Sequence, residues 1–538
     1  MNLMKKSLFV LFLALLLALV ACSKDDEGAS TSNDESTDTE EQTDDQEDDG
    51  DTSTGQGGDL QYVLNVQPPT MDPVMSTATA TRDVARPVFE TLVTIDSAYE
   101  PQPMLAESWE ISDDGLTYTF NLREGIKFHN GEEMTAEDVV ASMNRWLEKS
   151  ATAQSLIGEG SFEEVDEYTV NLLITEPSIF VLSALGGTLQ FPGIMPKEVV
   201  EAATETGVED YIGTGPFKFV EWKQDQYIHM EKFADYTPRE EEPDGLSGKR
   251  EALFDNIYIN FVPDPNTQLG GIQTGQYDVG YGLSYDMYDQ LENTEGVEAM
   301  APIVGQYAMV YNKNLGIFTD VKMRQAVNAA LNLEDIASTA LNGKYRMASS
   351  YMQLEQEAWA SNEGEEFYNN PDLEKAEQLL EEAGYDGEPI RFITTREYSY
   401  MYDSAVIIKE QLEKVGVNID LEVYDWPTVV NMRANPEEWD IFITGFPMTM
   451  TPVEQLFFNS TWVDGPEDEK TEELLKQISV AETIEEAKEH WDELQGHSWE
   501  IVPITKISDY TMIMGVSERV EGFQFLDGPI LWNIGFKE

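Results

Sequence analysis

The sequence predicts a mixed α/β protein of more than one domain, β-rich in its first part and alternating strand with helix in its second. Three observations carry this. At 538 residues the chain is too long for one ordinary core, so two or three domains are expected. In "GLTYTFNLREG", Leu116, Tyr118, Phe120 and Leu122 alternate with Thr117, Thr119 and Asn121, the pattern of a half-buried strand. After residue 319 capped helices fall between short β-branched runs, which is β-α-β order.

In chain order, the helix "TAEDVVASMNRWLEK" at 135–149 opens with a Thr cap and acids in its first turn. "DEYTVNLLI" at 166–174 repeats the strand alternation, and "IYINFVPD" from 257 is a strand ending at prolines. "TDVKMRQAVNAALN" from Thr319 places Val321, Ala326, Val327 and Leu331 at helical spacing. "PDLEKAEQLLEEAGY" runs from Pro371 to Gly384, a proline-start, glycine-stop helix. Strand "IRFITT", helix "SAVIIKEQLEKVG", strands "VNIDLEVYDW" and "WDIFITGF", and a helix from Ile484 to about Trp499 follow.

The ends limit location. Lys5 and Lys6 precede an apolar run from Leu8 to Ala21, which suits a signal peptide and is short of the ~20 residues of a spanning helix. Leu19-Val20-Ala21-Cys22 resembles the lipobox of bacterial lipoproteins. That resemblance implies cleavage after residue 21 and lipid on the Cys22 thiol. Residues 22–59 are rich in Asp, Glu, Ser, Thr and Gly, too polar to form a core, and read as a disordered acidic tether. Cys22 is the only cysteine, so disulfides, cysteine-ligated zinc and a cysteine nucleophile in the body are excluded. The formal charge of −69 argues against nucleic acid and anionic lipid as partners and suits a halophile-like surface.

Catalytic signatures are absent. No G-x-S-x-G elbow, P-loop, EF-hand loop or H-E-x-x-H pair occurs, and His490 and His497, seven apart, are too far for one metal without further ligands. No cofactor and no metal is expected. What occurs instead is a spread of aromatic and small residues in loops. "PVMSTATATRD" at 73–83 reads as a small-residue loop and "GTGPFKF" at 213–219 as a glycine-proline turn. "TTREYSY" puts Arg396 and Tyr398 just after a strand, Trp426 stands at a strand end, and "TGFPMTMTP" at 444–452 is a loop with Phe446, Met448 and Met450. Taken singly, Trp426 and Phe446 also suit a core and Arg396 a surface ion pair. Their joint position at strand ends favours a ligand cleft.

From Met104, "MLAESWEISDDGLTYTFNLREGIKFHNGEEMTAEDVVASMNRW" resembles the signature region of the extracellular solute-binding proteins of peptide-type ABC importers. "GTGPFKF", "FTDVKMRQAVNAALN", "PDLEKAEQLLEEAGY" and "KVGVNIDLEVYDW" follow in that family's order. The resemblance covers residues 60–538. It implies a type II periplasmic-binding-protein fold, with two α/β lobes, a hinge and an extra β-rich domain. The expected boundaries are 60–94, 213–302 and 511–538 for lobe I, 95–212 for domain II and 303–510 for lobe III, with crossings near Pro302 and Tyr510. It also implies capture without chemistry and partnership with an ABC permease and ATPase. The protein would then be a monomer held at the membrane only through its lipid.

Carried over residue by residue, the resemblance implies peptide contact by the backbone of Thr77, Ala78 and Thr79. It implies carboxylate capture by Arg396 and Tyr398, and a cleft wall of Trp426, Gly445, Phe446, Met448 and Thr449. One departure matters. Peptide-binding members carry an aspartate in the loop that here reads "GFPMTMTP", and this loop holds no acid. A buried ammonium without a counter-charge costs several kcal/mol. The ligand is therefore a peptide in another pose, a non-peptide anion such as an opine or sugar phosphate, or a chelated metal. An anchored hydrolase, or a sensor reporting through a partner, are readings from other classes.

Overall fold

A computed structural model of the chain describes residues 54–55, 57–459, 462 and 468–537. The signal segment, Cys22 and the tether as far as residue 53 lie outside the described residues.

Two large sheets organise the fold. The first has seven strands in the order Val297–Met300, Ile513–Ser517, Val279–Leu283, Asp59–Leu64, Asn256–Phe261, Tyr227–Lys232 and Phe217–Lys223. Asp59–Leu64 runs parallel to both its neighbours, so its two faces are covered, and Leu60, Tyr62, Val63 and Leu64 are all buried. The second sheet has six strands: Tyr345–Arg346, Ile504–Thr511, Ile303–Tyr311, Ile441–Pro447, Ile390–Thr395 and Ile419–Tyr424. Along Ile303–Tyr311 the faces separate two cores. Tyr307, Met309 and Tyr311 join the helices Val321–Ala330, Leu333–Ala340 and Ser399–Lys414, while Ala308 and Val310 join Trp439, Phe442 and Trp491.

A third, antiparallel sheet of four strands (Ala106–Ile111, Thr117–Leu122, Thr169–Ile174, Gly160–Asp166) packs under the helix Ala136–Lys149. Tyr118, Phe120 and Leu122 point inward with Val170, Leu172 and Ile174, meeting Val139, Met143 and Trp146 of the helix. That helix starts with a complete capping box between Thr135 and Asp138, which contributes about 1 kcal/mol.

The chain passes between the large sheets twice. Val297–Met300 belongs to the first and Ile303–Tyr311 to the second; Ile504–Thr511 belongs to the second and Ile513–Ser517 to the first. The two passages lie side by side, because the Met512 amide donates to the Pro302 carbonyl at 2.9 Å.

Five local readings need correction. The expected loop 444–452 begins as strand, because Ile441–Pro447 pairs as far as Pro447, and the helix expected from Ser404 begins at Ser399. Order begins before residue 60: Thr54–Gly55 pair with Lys537 and Phe536, and the Gly57 amide donates to the Leu253 carbonyl at 2.7 Å. Backbone pairing, which a polar composition does not reveal, sets that boundary. The stretch 73–83 is not a loop: a 3-10 turn at Pro73–Met75 leads into the helix Thr79–Ala85, because Arg82 and Asp83 are buried on it. The helix expected from Thr319 starts at Val321, with Asp320 as its cap.

Candidate functional site

Most of the residues singled out from the sequence stand at strand ends of the second sheet. Thr395 ends one strand, and Arg396 and Tyr398 follow it into the helix Ser399–Lys414. Tyr398 meets Trp426 edge-on at 5.5 Å and Tyr400 at 6.4 Å. Trp426 is not at the strand end itself but opens the helix Trp426–Met432, capped by Asp425. Tyr400 stacks on Tyr510 at 5.6 Å, and Tyr307 closes the group against both. Gly445 lies in the middle: a Cβ there would stand 3.0 Å from the hydroxyls of Tyr400 and Tyr510. The absence of a side chain at 445 is what lets the two phenols approach the strand.

Other candidates are turned elsewhere. Strand alternation sends Phe446 to the opposite face from Gly445, into the core against Phe457 at 5.3 Å and Trp462 at 5.5 Å. Thr449 is tied inward, its carbonyl accepting from Gln356 at 2.7 Å and its hydroxyl oxygen from Gln455 at 3.0 Å. Arg396 is exposed; its guanidinium donates to the Tyr402 hydroxyl at 2.7 Å and lies over that ring at 3.9 Å. Tyr402, not Tyr398, is thus its partner. Thr77 and Thr79 are exposed, with Ala78 between them as the N-terminal boundary of the helix Thr79–Ala85.

Residues that the sequence did not single out complete the picture. On the first-sheet side, Arg82 bonds Asp83 and Asp527, each at 2.8 Å, with all three side chains buried. Thr188 donates to the other Asp527 oxygen, and Arg86 donates to the carbonyls of Leu526 and Asp527 at 3.2 Å each. Burial works against the Arg82 charge, but Asp527 and Asp83 more than offset it and strengthen the guanidinium's hold on its proton. Burial also raises the Asp83 carboxyl, one of whose oxygens has no partner. The Tyr510 phenol is pushed up to about 12, first by burial and then by the charge of Asp527. Of the second sheet's aromatic group, Tyr510 is thus the member within reach of the first-sheet ion cluster. Arg82 and Asp83 ended a stretch of small residues, a charged pair out of place there, but their partner lies more than 400 residues away in an ordinary Asp-Gly turn.

The methionine loop spans the two sides. Met450 is buried with Ile95, Leu246, Ile530 and Trp532, and the Tyr99 hydroxyl reaches the Met448 sulfur at 3.5 Å. The loop holds no acid, but Glu454 follows it and accepts from the Thr451 amide at 2.9 Å and hydroxyl at 3.0 Å. Burial raises the Glu454 carboxyl to about 6. Among the described residues no group of three or more His, Cys, Asp or Glu is placed to hold a metal ion, and no helix is long and apolar enough to cross a membrane. His497 instead bonds Asp468, the cap of the helix Glu469–Val480, at 2.8 Å.

Residues 100–466 match the model of the bacterial extracellular solute-binding proteins, family 5 (middle region). The chain belongs to this family. A probable peptide ABC transporter periplasmic-binding protein, y4tO of Sinorhizobium fredii, is 29% identical over 486 residues, 86% of this chain and 91% of the relative. The glutathione-binding protein GsiB of Escherichia coli (strain K12) is 30% identical over 370 residues, 66% of this chain and 67% of the relative. The structure of the oligopeptide-binding protein AppA of Bacillus subtilis, in complex with a nonapeptide, superposes with a TM-score of 0.74 at 23% identity, covering 90% of this chain and 100% of that one. The fold is the type II periplasmic-binding-protein fold, and this protein is an extracellular solute-binding component of the ABC-importer class.

Proposed function

We propose that the protein captures a peptide or peptide-sized solute between the two large sheets and releases it unchanged to an ABC permease and its ATPase. On this reading lobe I comprises residues 54–94, 213–302 and 512–537, domain II 95–212 and lobe III 303–511, the expected bounds adjusted to the strands Thr54–Gly55 and Ile504–Thr511. The two adjoining passages at Pro302 and Met512 form a hinge. The carrying observation is an aromatic group on the second sheet, Tyr398, Tyr400, Tyr510 and Trp426, whose Tyr510 lies within reach of the charge of Asp527 in the buried Arg82–Asp527 cluster of the first-sheet side. Thr77, Ala78 and Thr79 would offer backbone groups to the ligand, and Arg396 swings from Tyr402 to a ligand carboxylate. Trp426, Gly445 and Met448 wall the cleft, while Phe446 and Thr449 support it from behind. The names of y4tO, AppA and GsiB, each a peptide, oligopeptide or glutathione binder, favour a peptide cargo. The protein works as a monomer without chemistry, and Cys22 carries the lipid that holds it outside the cell membrane after removal of residues 1–21.

A second reading has its own observation: the acid-free loop 445–452, which suits a non-peptide anion or a chelated metal better than a free ammonium. A thermal-shift screen in molar salt separates the two. Di- and tripeptides, their N-acetylated forms, opines, sugar phosphates and chelated nickel are compared, and a ligand at a hundred times its Kd adds ~2.7 kcal/mol. Shifts by free-amine peptides, recovered uncleaved by mass spectrometry, support the proposal. Shifts by non-peptide anions alone reject the peptide cargo, and cleaved peptide rejects capture without chemistry.

A further inference from the structure

A cavity of about 30 Å³ adjoins the Asp527 cluster, sharing Arg86 and Thr188 with it, and the function proposed above assigns it no occupant. Its lining includes Arg86, Arg250, Glu90, Thr94, Thr188 and Leu246. Leu246 of the lining packs in an apolar cluster with Met450 and Trp532, and Arg250 stacks over the Trp532 ring at 4.4 Å. The volume admits one or two waters or a carboxylate-sized group.

Within the lining two guanidiniums, Arg86 and Arg250, stand against one carboxylate, Glu90, while Arg82, Asp83 and Asp527 beside them bring the buried cluster to three cations and three carboxylates. Arg86 and Arg250 are buried, 6% and 3% exposed. Arg86 donates only to two backbone carbonyls, and its guanidinium is held down to about 10, first by burial and then by the charge of Arg82. Arg250 donates to the Leu246 carbonyl at 2.7 Å and stands 3.6 Å from Glu90, and its Nε has no partner among the described residues. Glu90 is the carboxylate of the lining, and both its oxygens are engaged, one by Tyr236 at 2.8 Å and one by Thr214 at 2.9 Å. Asp527 lies next to the cavity, occupied by Arg82 and Thr188. A guanidinium has five donors, so both arginines keep spare N–H groups in a place where water is scarce. Buried cations with unused donors are stabilised by an anion between them.

We propose that this cavity is a small-anion subsite, sized for a carboxylate and held by Arg86 and Arg250. The anion is either a side-chain carboxylate of the captured ligand or a free small anion. The first source rests on the peptide reading; the subsite itself does not.

The test uses the full-length protein in detergent at constant high ionic strength, with potassium gluconate replaced stepwise by formate or chloride. Gluconate is too bulky for the cavity. The subsite predicts a saturable rise in melting temperature with formate or chloride, lost in Arg86→Gln and in Arg250→Gln. Equal melting in all three salts for the unaltered protein overturns it, with water alone filling the space, and this result needs no variant to fold. Ala-Glu-Ala and Ala-Gln-Ala then identify the source. A larger shift by the glutamate peptide, lost in Arg86→Gln, assigns the subsite to the ligand's carboxylate; equal peptide shifts with a formate response assign it to a free anion. A formate response with no response to any peptide keeps the subsite and rejects the peptide cargo. Peptide shifts without a formate or glutamate effect keep the cargo and reject the subsite.

Discussion

At Glu454 one carboxylate closes the capping box of the loop that bridges the two sides, accepting from Thr451 twice. Its folded pKa of about 6 stands above that of a free glutamate because of burial. The folded state therefore binds this proton more tightly than the unfolded state. The resulting stability is fully present below the unfolded pKa, near 4.5, and is lost as pH rises through 6. Glu454→Gln keeps an acceptor and removes the charge, so at pH 7 it should stabilise the protein by about 1–2 kcal/mol. At pH 4 the two proteins should unfold alike; equal urea midpoints at pH 7 would contradict this. The buried Arg82–Asp527 pair works the other way. Arg82→Met leaves Asp527 buried without its cation and should cost about 3–5 kcal/mol in urea unfolding; a loss under 1 kcal/mol would show the pair to be dispensable. Tyr398, Trp426 and Gly445 could be proposed from the sequence because each lies in or just after a readable strand. Arg82 with Asp527 was not legible, since long-range pairing leaves no local pattern.

Among the elements, alternation identified the strands Thr117–Leu122 and Thr169–Ile174, each with one buried face, and capping with an apolar face identified the helices Ala136–Lys149 and Leu373–Glu382; Ile390–Thr395, buried on both faces, was legible from its β-branched run between two helices. It failed at 73–83, where small residues give no amphipathic signal and tertiary burial makes the helix. Of "GTGPFKF", only the part before Phe217 bends; Phe217 already opens the strand Phe217–Lys223, and the reason for the bend was not legible. A Cβ on Gly213 would stand 2.1 Å from the Val88 carbonyl oxygen, so the turn is pressed against the backbone of another segment. Gly213→Ala must move that backbone and should destabilise by about 1–3 kcal/mol. An unchanged unfolding midpoint would mean that the segments are not in close contact in solution.

Across the whole molecule, charge and topology set the behaviour. With 102 acidic against 33 basic residues, repulsion opposes the compact state, and salt screens it. The melting temperature should rise steadily from low to molar salt; the same value at both ends would remove the halophile-like reading of the surface. On the proposed reading the two adjoining passages, at Pro302 and Met512, are the hinge about which one sheet swings against the other, and Met450 packs with Ile95, Leu246 and Trp532 where such a swing would close. Opening and closing on a ligand is the central claim, and a distance across the cleft tests it. Cysteines at exposed Val220 in the first sheet and exposed Leu373 beside the second, in a Cys22→Ser background, accept spin labels for pulsed dipolar spectroscopy. With a saturating peptide the distance distribution should become shorter and narrower than without it. Identical distributions, with peptide binding confirmed by calorimetry, would contradict capture between the two sheets.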